Sequence, residues 1–165
     1  ALADGLGAVP EEVIEGPNYV AVFATEADIA ALAPNMDTLA TLHPRGVIAT
    51  APGDICDFVS RFFGPSFGVP EDPVTGSAHC MLTPYWATRL GKDRLDARQT
   101  SKRGGALVCE DRGDRVAMRA PRRHHCRSGS FPVQNIAASR RVGCPTRSDN
   151  LRNTPYRRVA PCPTH

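Results

Sequence analysis

Residues 71–80 read EDPVTGSAHC, and residues 81–90 continue as MLTPYWATRL. A carboxylate stands four residues ahead of a glycine, and that glycine opens an apolar run. Pro73 holds the backbone of Asp72 extended, away from helical angles. Gly76 tolerates torsions that other residues avoid and lets a ligand approach the backbone closely. Thr75 or Ser77 is placed to cap a helix that follows. The amides of Gly76, Ser77, Ala78 and His79 then fall in its first turn, where N–H groups lack intrahelical acceptors and attract anions. Asp72 sits just outside that ring of donors. The unit offers an anion cradle with an acid/base beside it, as proton abstraction next to a substrate carboxylate requires. A plainer reading competes: a capped loop in which Asp72 only accepts backbone hydrogen bonds. The residues alone leave both open.

The neighbours carry bland readings of their own. Glu71 reads as a solvated neighbour, His79 as a packed or capping histidine, and Cys80 as a core thiol. Arg61, within FVSRFF, reads as one half of a structural ion pair. His124, His125 and Cys126 lack the second ligand pair that a metal site needs, and no metal is expected.

Outward from the motif, Ser77–Leu90 is apolar on nearly its whole circumference. That pattern marks a helix covered on nearly all sides. Pro84 inside it removes one backbone bond and predicts a bend. Gly91 and Lys92 give a stop. Strands are expected over 19–25, 45–51, 57–63, 94–101 and 105–110, with ALVCE-DRGD-RVAMR as a hairpin around Arg112 and Gly113. Helices are expected over 26–32 and 36–42, with Pro34 between them. Residues 64–73 read as turns. Short strands mixed with helices indicate an α+β fold, a sheet wrapped around the enclosed helix.

Charge divides the chain. Residues 1–119 hold eleven Lys/Arg against sixteen Asp/Glu, whereas residues 120–165 hold nine Arg and one acid, Asp149. The second stretch is rich in Arg, Pro and Ser without sustained periodicity, so it is expected to be disordered or out of frame. A basic tail raises nucleic acid as a partner, but without aromatic interleaving that partner is not expected. No run nears the roughly 18 apolar residues of a membrane span. The start, ALADGLGAVPEEV, lacks the features of a secretory signal and is expected to lie inside a longer protein. The six cysteines form no CxxC pair and are expected as free thiols in a reducing, cytoplasmic compartment.

DFVSRFFGPSFGVPEDPVTGSAHCMLTPYWATRLGK, followed by ARQTSKRGGAL, resembles the PhzF-like phenazine-biosynthesis family, which shares the diaminopimelate-epimerase fold. The resemblance covers roughly residues 1–119. It implies a curved, barrel-like mixed sheet around a central helix, one of two similar domains with the active site between them. It further implies an isomerase that moves a proton on a small carboxylated metabolite without metal or organic cofactor. Carried over by position, Asp72 is the second-domain catalytic partner, and Gly76, Ser77, Ala78 and His79 form the substrate-binding turn. Cys80 is displaced from the position of a catalytic cysteine in relatives that epimerise through thiols. The first-domain motif supplying a catalytic glutamate is absent, since none of Glu11, Glu12, Glu15 or Glu26 has its context. The chain is therefore expected to be the second half of such an enzyme, inactive alone, with an exposed face that favours a homodimer. The alternative is a non-catalytic module that retains the fold and binds small anions.

Overall fold

The computed structural model describes residues 1–43 and 45–120 and the backbone of 157–159. The elements are α1 (Leu2–Leu6), β1 (Glu12–Glu15), β2 (Tyr19–Val22), α2 (Glu26–Ala31), α3 (Met36–Ala40), β3 (Val47–Pro52), β4 (Phe58–Gly64), β5 (Val69–Asp72), α4 (Gly76–Leu90), β6 (Arg94–Gln99), β7 (Gly105–Asp111), β8 (Val116–Arg119) and β9 (Arg157–Val159). They build one mixed sheet ordered β8-β7-β6-β4-β3-β2-β1-β9, with β5 pairing β4 off this path. The pairs β2·β3 and β4·β6 are parallel and the others antiparallel.

Period-two alternation sorts each central strand between two cores. Val20, Val22, Ile48, Phe58 and Phe62 face α4, where they meet Ala78, Leu82, Trp86 and Ala87. Ala21, Val47, Ala49, Val59 and Phe63 face the other way, onto Leu6 of α1, Ile29 of α2 and Leu39 of α3. Strands buried on both faces read as continuous apolar runs, which is why YVAV, VIATA and FVSRFF stood out. Each large side chain so buried contributes about 1.5–3 kcal/mol.

Element ends moved for local reasons. The expected strand over 19–25 stops at Val22, because Thr25 caps α2: its Oγ1 accepts from Asp28 N at 3.2 Å while its own N–H donates to Asp28 Oδ2 at 2.9 Å. Helix α4 opens one residue earlier than expected and closes on Gly91, whose φ of 66° is the left-handed conformation. The turn-rich stretch 64–73 contains a strand, β5, and the sequence reading also lacked β1 and α1. Of the stretch 120–165, Arg157–Val159 pairs with β1. The rest of that stretch after Ala120 lies outside the described residues.

Helix α4 is buried at Ala78, His79, Cys80, Leu82, Thr83, Trp86 and Ala87 and exposed at Gly76, Ser77 and Thr88–Leu90. Its polar side chains are tied to the sheet beneath. Trp86 Nε1 donates to Thr50 Oγ1 of β3 at 3.0 Å, and Tyr85 donates to Glu12 Oε2 of β1 at 3.0 Å. At the other end of the sheet, Met118 of β8 packs against the same core.

The site is positioned by a fork. One edge of β4 is shared: Phe58–Ser60 pair with Ala97–Gln99 of β6, and Phe62–Gly64 pair with β5, where Phe62 stands opposite Asp72. Asp72 ends β5 and Gln99 ends β6. Both ends meet where α4 begins.

Candidate active site

Thr75 is the hub of the EDPVTGSAH loop. It stands at the N-cap position of α4, but its hydroxyl does not cap the helix. The hydroxyl instead donates to Asp72 Oδ2 at 2.5 Å. Its backbone N–H donates to Gln99 Oε1 at 2.8 Å. Gln99 Nε2 donates in turn to the Asp72 carbonyl, at 2.5 Å, and to Thr75 Oγ1, at 3.2 Å. Ser101 Oγ donates to the Pro73 carbonyl at 3.1 Å and accepts from Gly104 N–H at 3.1 Å. The loop is thus held from behind by Ser101, just past the end of β6, and by Gln99 itself, which is fully buried.

The five residues singled out in the sequence divide between surface and interior. Asp72 is half-buried, and Gly76 and Ser77 are exposed. A Cβ on Gly76 would find its nearest neighbour, Met118 Cε, at 3.9 Å, so the backbone here faces open space. Ala78 and His79 point into the core. The His79 backbone N–H donates to the Thr75 carbonyl at 3.3 Å, and its ring Nδ1 lies 2.8 Å from the same oxygen. A carbonyl only accepts, so Nδ1 carries the proton. His79 Nε2 is buried without a hydrogen-bond partner among the described residues. Burial holds the His79 pKa below its ordinary value, against a smaller opposing effect of the Thr75 carbonyl. A neutral imidazole braces Thr75 from inside.

Glu71 is not solvated. It makes a two-pronged pair with Arg61, at 2.8 Å to Nε and 3.1 Å to Nη2, and Arg61 Nη1 also donates to the carbonyls of Ile29 and Leu32. Because Glu71 stands opposite Phe63 and Asp72 opposite Phe62, the two carboxylates leave opposite faces of β5. An open depression of about 400 Å³ borders the loop, lined by Glu71, Pro73, Ser101, Lys102 and Arg103.

Among the described residues the three thiols, Cys56, Cys80 and Cys109, are unsuited to attack. Burial pushes Cys56 and Cys109 each up to about 11, and Cys80 is buried on α4. Among the described residues no cluster of His, Cys, Asp and Glu is arranged to hold a metal ion, and no helix is long and apolar enough to cross a membrane. His124, His125 and Cys126 lie outside the described residues.

A family model described as phenazine biosynthesis-like protein matches residues 5–121. The chain belongs to that family. It is 52% identical over 117 residues to an uncharacterized isomerase of Pseudomonas aeruginosa, covering 71% of this chain and 45% of the relative. It is 45% identical over 120 residues to an uncharacterized isomerase of Halalkalibacterium halodurans, covering 70% and 44%. Among solved structures it is similar to a PhzF-family phenazine biosynthesis protein from Enterococcus faecalis, with a TM-score of 0.68 at 43% identity, covering 70% of this chain and 45% of that one. A PhzC/PhzF protein from Clostridium difficile gives a TM-score of 0.65 at 40% identity, with the same coverage. The chain therefore spans about half the length of the relatives it matches.

Gln99 and Ser101 stand within ARQTSKRGGAL, and the sequence assigns neither a role beyond the family motif. The available signal was two polar residues at alternate positions at a strand end, just before the double glycine 104–105. Gly105 has its own reason: a Cβ there would sit 2.4 Å from Val74 Cγ2, inside the loop that carries Asp72.

Proposed function

We propose that this chain is the second-domain half of a cofactor-independent isomerase, in which Asp72 handles a proton on a small carboxylated metabolite. Membership of a family whose relatives are named isomerases supports the reaction class. The observation that carries the rest is the arrangement at the start of α4. A partly exposed carboxylate stands beside an open first turn and is held in place from behind by Thr75 and Gln99. In this reading the N–H groups of Gly76, Ser77 and Ala78 and the Ser77 hydroxyl receive the substrate carboxylate. His79 belongs to the binding turn as the buried brace beneath it. The substrate's acidic C–H, once its carboxylate is fixed there, lies within reach of Asp72.

The sheet is read as a barrel-like wall curled around α4, in the manner of the diaminopimelate epimerases. Contacts of the α4 core with Glu12 of β1 and Met118 of β8, at opposite ends of the sheet, favour that reading. A first domain would face Asp72 and bring a second acid, so the 165-residue chain alone is inactive. Residues 120–165 are read as foreign to the catalytic unit. The chain is taken to act in the cytoplasm and to pair with a second copy through the face a first domain would cover.

Deuterium exchange tests the proposal. A full-length parent incubated in heavy water with a panel of small carboxylated metabolites should wash deuterium into at least one of them. A parent that exchanges nothing with the panel, yet binds anions at this turn, is a binding module and not an isomerase.

A further inference from the structure

The hydrogen bonds around Thr75 have directions as well as lengths. The Thr75 backbone nitrogen can only donate, so the Gln99 atom 2.8 Å from it is the carboxamide oxygen. The Asp72 carbonyl can only accept, so the Gln99 atom facing it is the nitrogen. Two backbone groups that cannot exchange roles therefore fix the orientation of the Gln99 amide. Its second N–H points at Thr75 Oγ1, 3.2 Å away, where it too must donate. Thr75 Oγ1, already accepting there, has its single proton available for one neighbour, Asp72 Oδ2, at 2.5 Å.

We infer that Gln99 is a positioning residue: by donating to Thr75 Oγ1 it makes that hydroxyl a one-way donor to Asp72 Oδ2, leaving Oδ1 as the atom of the carboxylate that takes and returns the substrate proton. The assignment of a proton to Oδ1 rests on the function proposed above; the direction of the hydrogen bonds does not. Gln99 is well suited to the task because it is fully buried, so water does not compete for its three hydrogen bonds. The proton balance is simple. A C–H bond of the substrate breaks, an O–H bond forms at Oδ1, and the electron pair stays on the substrate. The reverse transfer to another carbon completes an isomerisation.

The experiment is nuclear magnetic resonance on the isotopically labelled 165-residue chain. Through-hydrogen-bond couplings are expected from the Gln99 side-chain nitrogen to the Asp72 carbonyl carbon and from the Thr75 amide nitrogen to the Gln99 carboxamide carbon. Their absence in the unmutated chain overturns the inference without any variant having to fold. Gln99→Met, similar in volume, is expected to speed exchange of the Thr75 hydroxyl proton with solvent by about ten-fold and to average the Asp72 side-chain rotamer. Thr75→Ser, which keeps the hydroxyl, is expected to preserve the single rotamer. A folded Gln99→Met chain with an unchanged hydroxyl and rotamer would show that Gln99 only fills the core. These readouts need no substrate, so a failed exchange screen on the parent would sink the proposed isomerase and leave them standing.

Discussion

In the proposed function, Asp72 is one side chain given a task by its neighbours. Nothing intrinsic separates it from Glu71, one residue away, yet Arg61 occupies Glu71 on one face of β5 while Asp72 remains half-exposed on the other. If the proposed function holds, Asp72→Asn in a full-length parent should slow turnover by roughly 10²-fold or more, measured as substrate deuterium exchange. Glu71→Gln should act on stability instead, by leaving Arg61 unpaired where both partners are largely buried, and should lower the urea midpoint. His79 gives a pH dependence whose sign is fixed. Its folded-state pKa lies below the ordinary 6.5, so below that pH the unfolded chain binds a proton that the folded chain refuses. Stability is therefore full above about pH 6.5 and falls as the pH drops, by up to about 1.4 kcal/mol per unit until the folded value is reached. Urea unfolding at pH 7.5 and 5.5 checks this, and His79→Gln should remove most of the slope. The sequence displayed the Asp-Pro restriction and the glycine at the helix start because both act through adjacent residues. It concealed the bonds of Gln99, 24 positions beyond Thr75, because only the sheet brings them together.

Among the elements, the starts of α4 and β7 make opposite uses of glycine. Gly76 faces open space, so Gly76→Ala should stabilise the chain by up to about 1 kcal/mol, read from the urea midpoint. If an anion approaches this backbone, the added methyl should weaken turnover in the parent; a variant both stabler and fully active would show that nothing docks there. Gly105 has no such room, and Gly105→Ala should cost about 1–3 kcal/mol by forcing Val74 aside. The strands that were legible, β2, β3, β4 and the β6–β8 meander, are those with long apolar or alternating runs. Strand β5 was not legible, because Val69-Pro70-Glu71-Asp72 carries a proline, with a second, Pro73, just beyond, and no core residue. Its strand character comes from pairing with β4 and not from its own composition.

At the scale of the molecule, both cores are assembled from residues between Leu2 and Met118. A chain ended after Ala120 should therefore keep a single cooperative urea transition, with a midpoint within about 10% of the 165-residue chain. A broad, non-cooperative transition would show that the later residues contribute to the fold through more than β9. The fold class was readable from the order of short strands and helices, and the split of the charge marked residue 119, close to where the family match ends at 121. What the rest of a full-length relative would add to this site was not readable, since about half of each matched relative has no counterpart here.

The divided edge of β4 has a consequence for what can replace Gln99. Where a sheet splits, main-chain groups lose the neighbouring strand that would otherwise satisfy them. The Gln99 carboxamide substitutes for a missing peptide unit: its C=O and N–H meet the Thr75 N–H and the Asp72 C=O as a strand's own amide would. Asparagine carries the same group one methylene too short to span the gap, and glutamate reaches but has no hydrogen to give when ionised and only one when protonated, where Gln99 donates two. Position 99 therefore tolerates neither of the two replacements that chemical similarity would suggest.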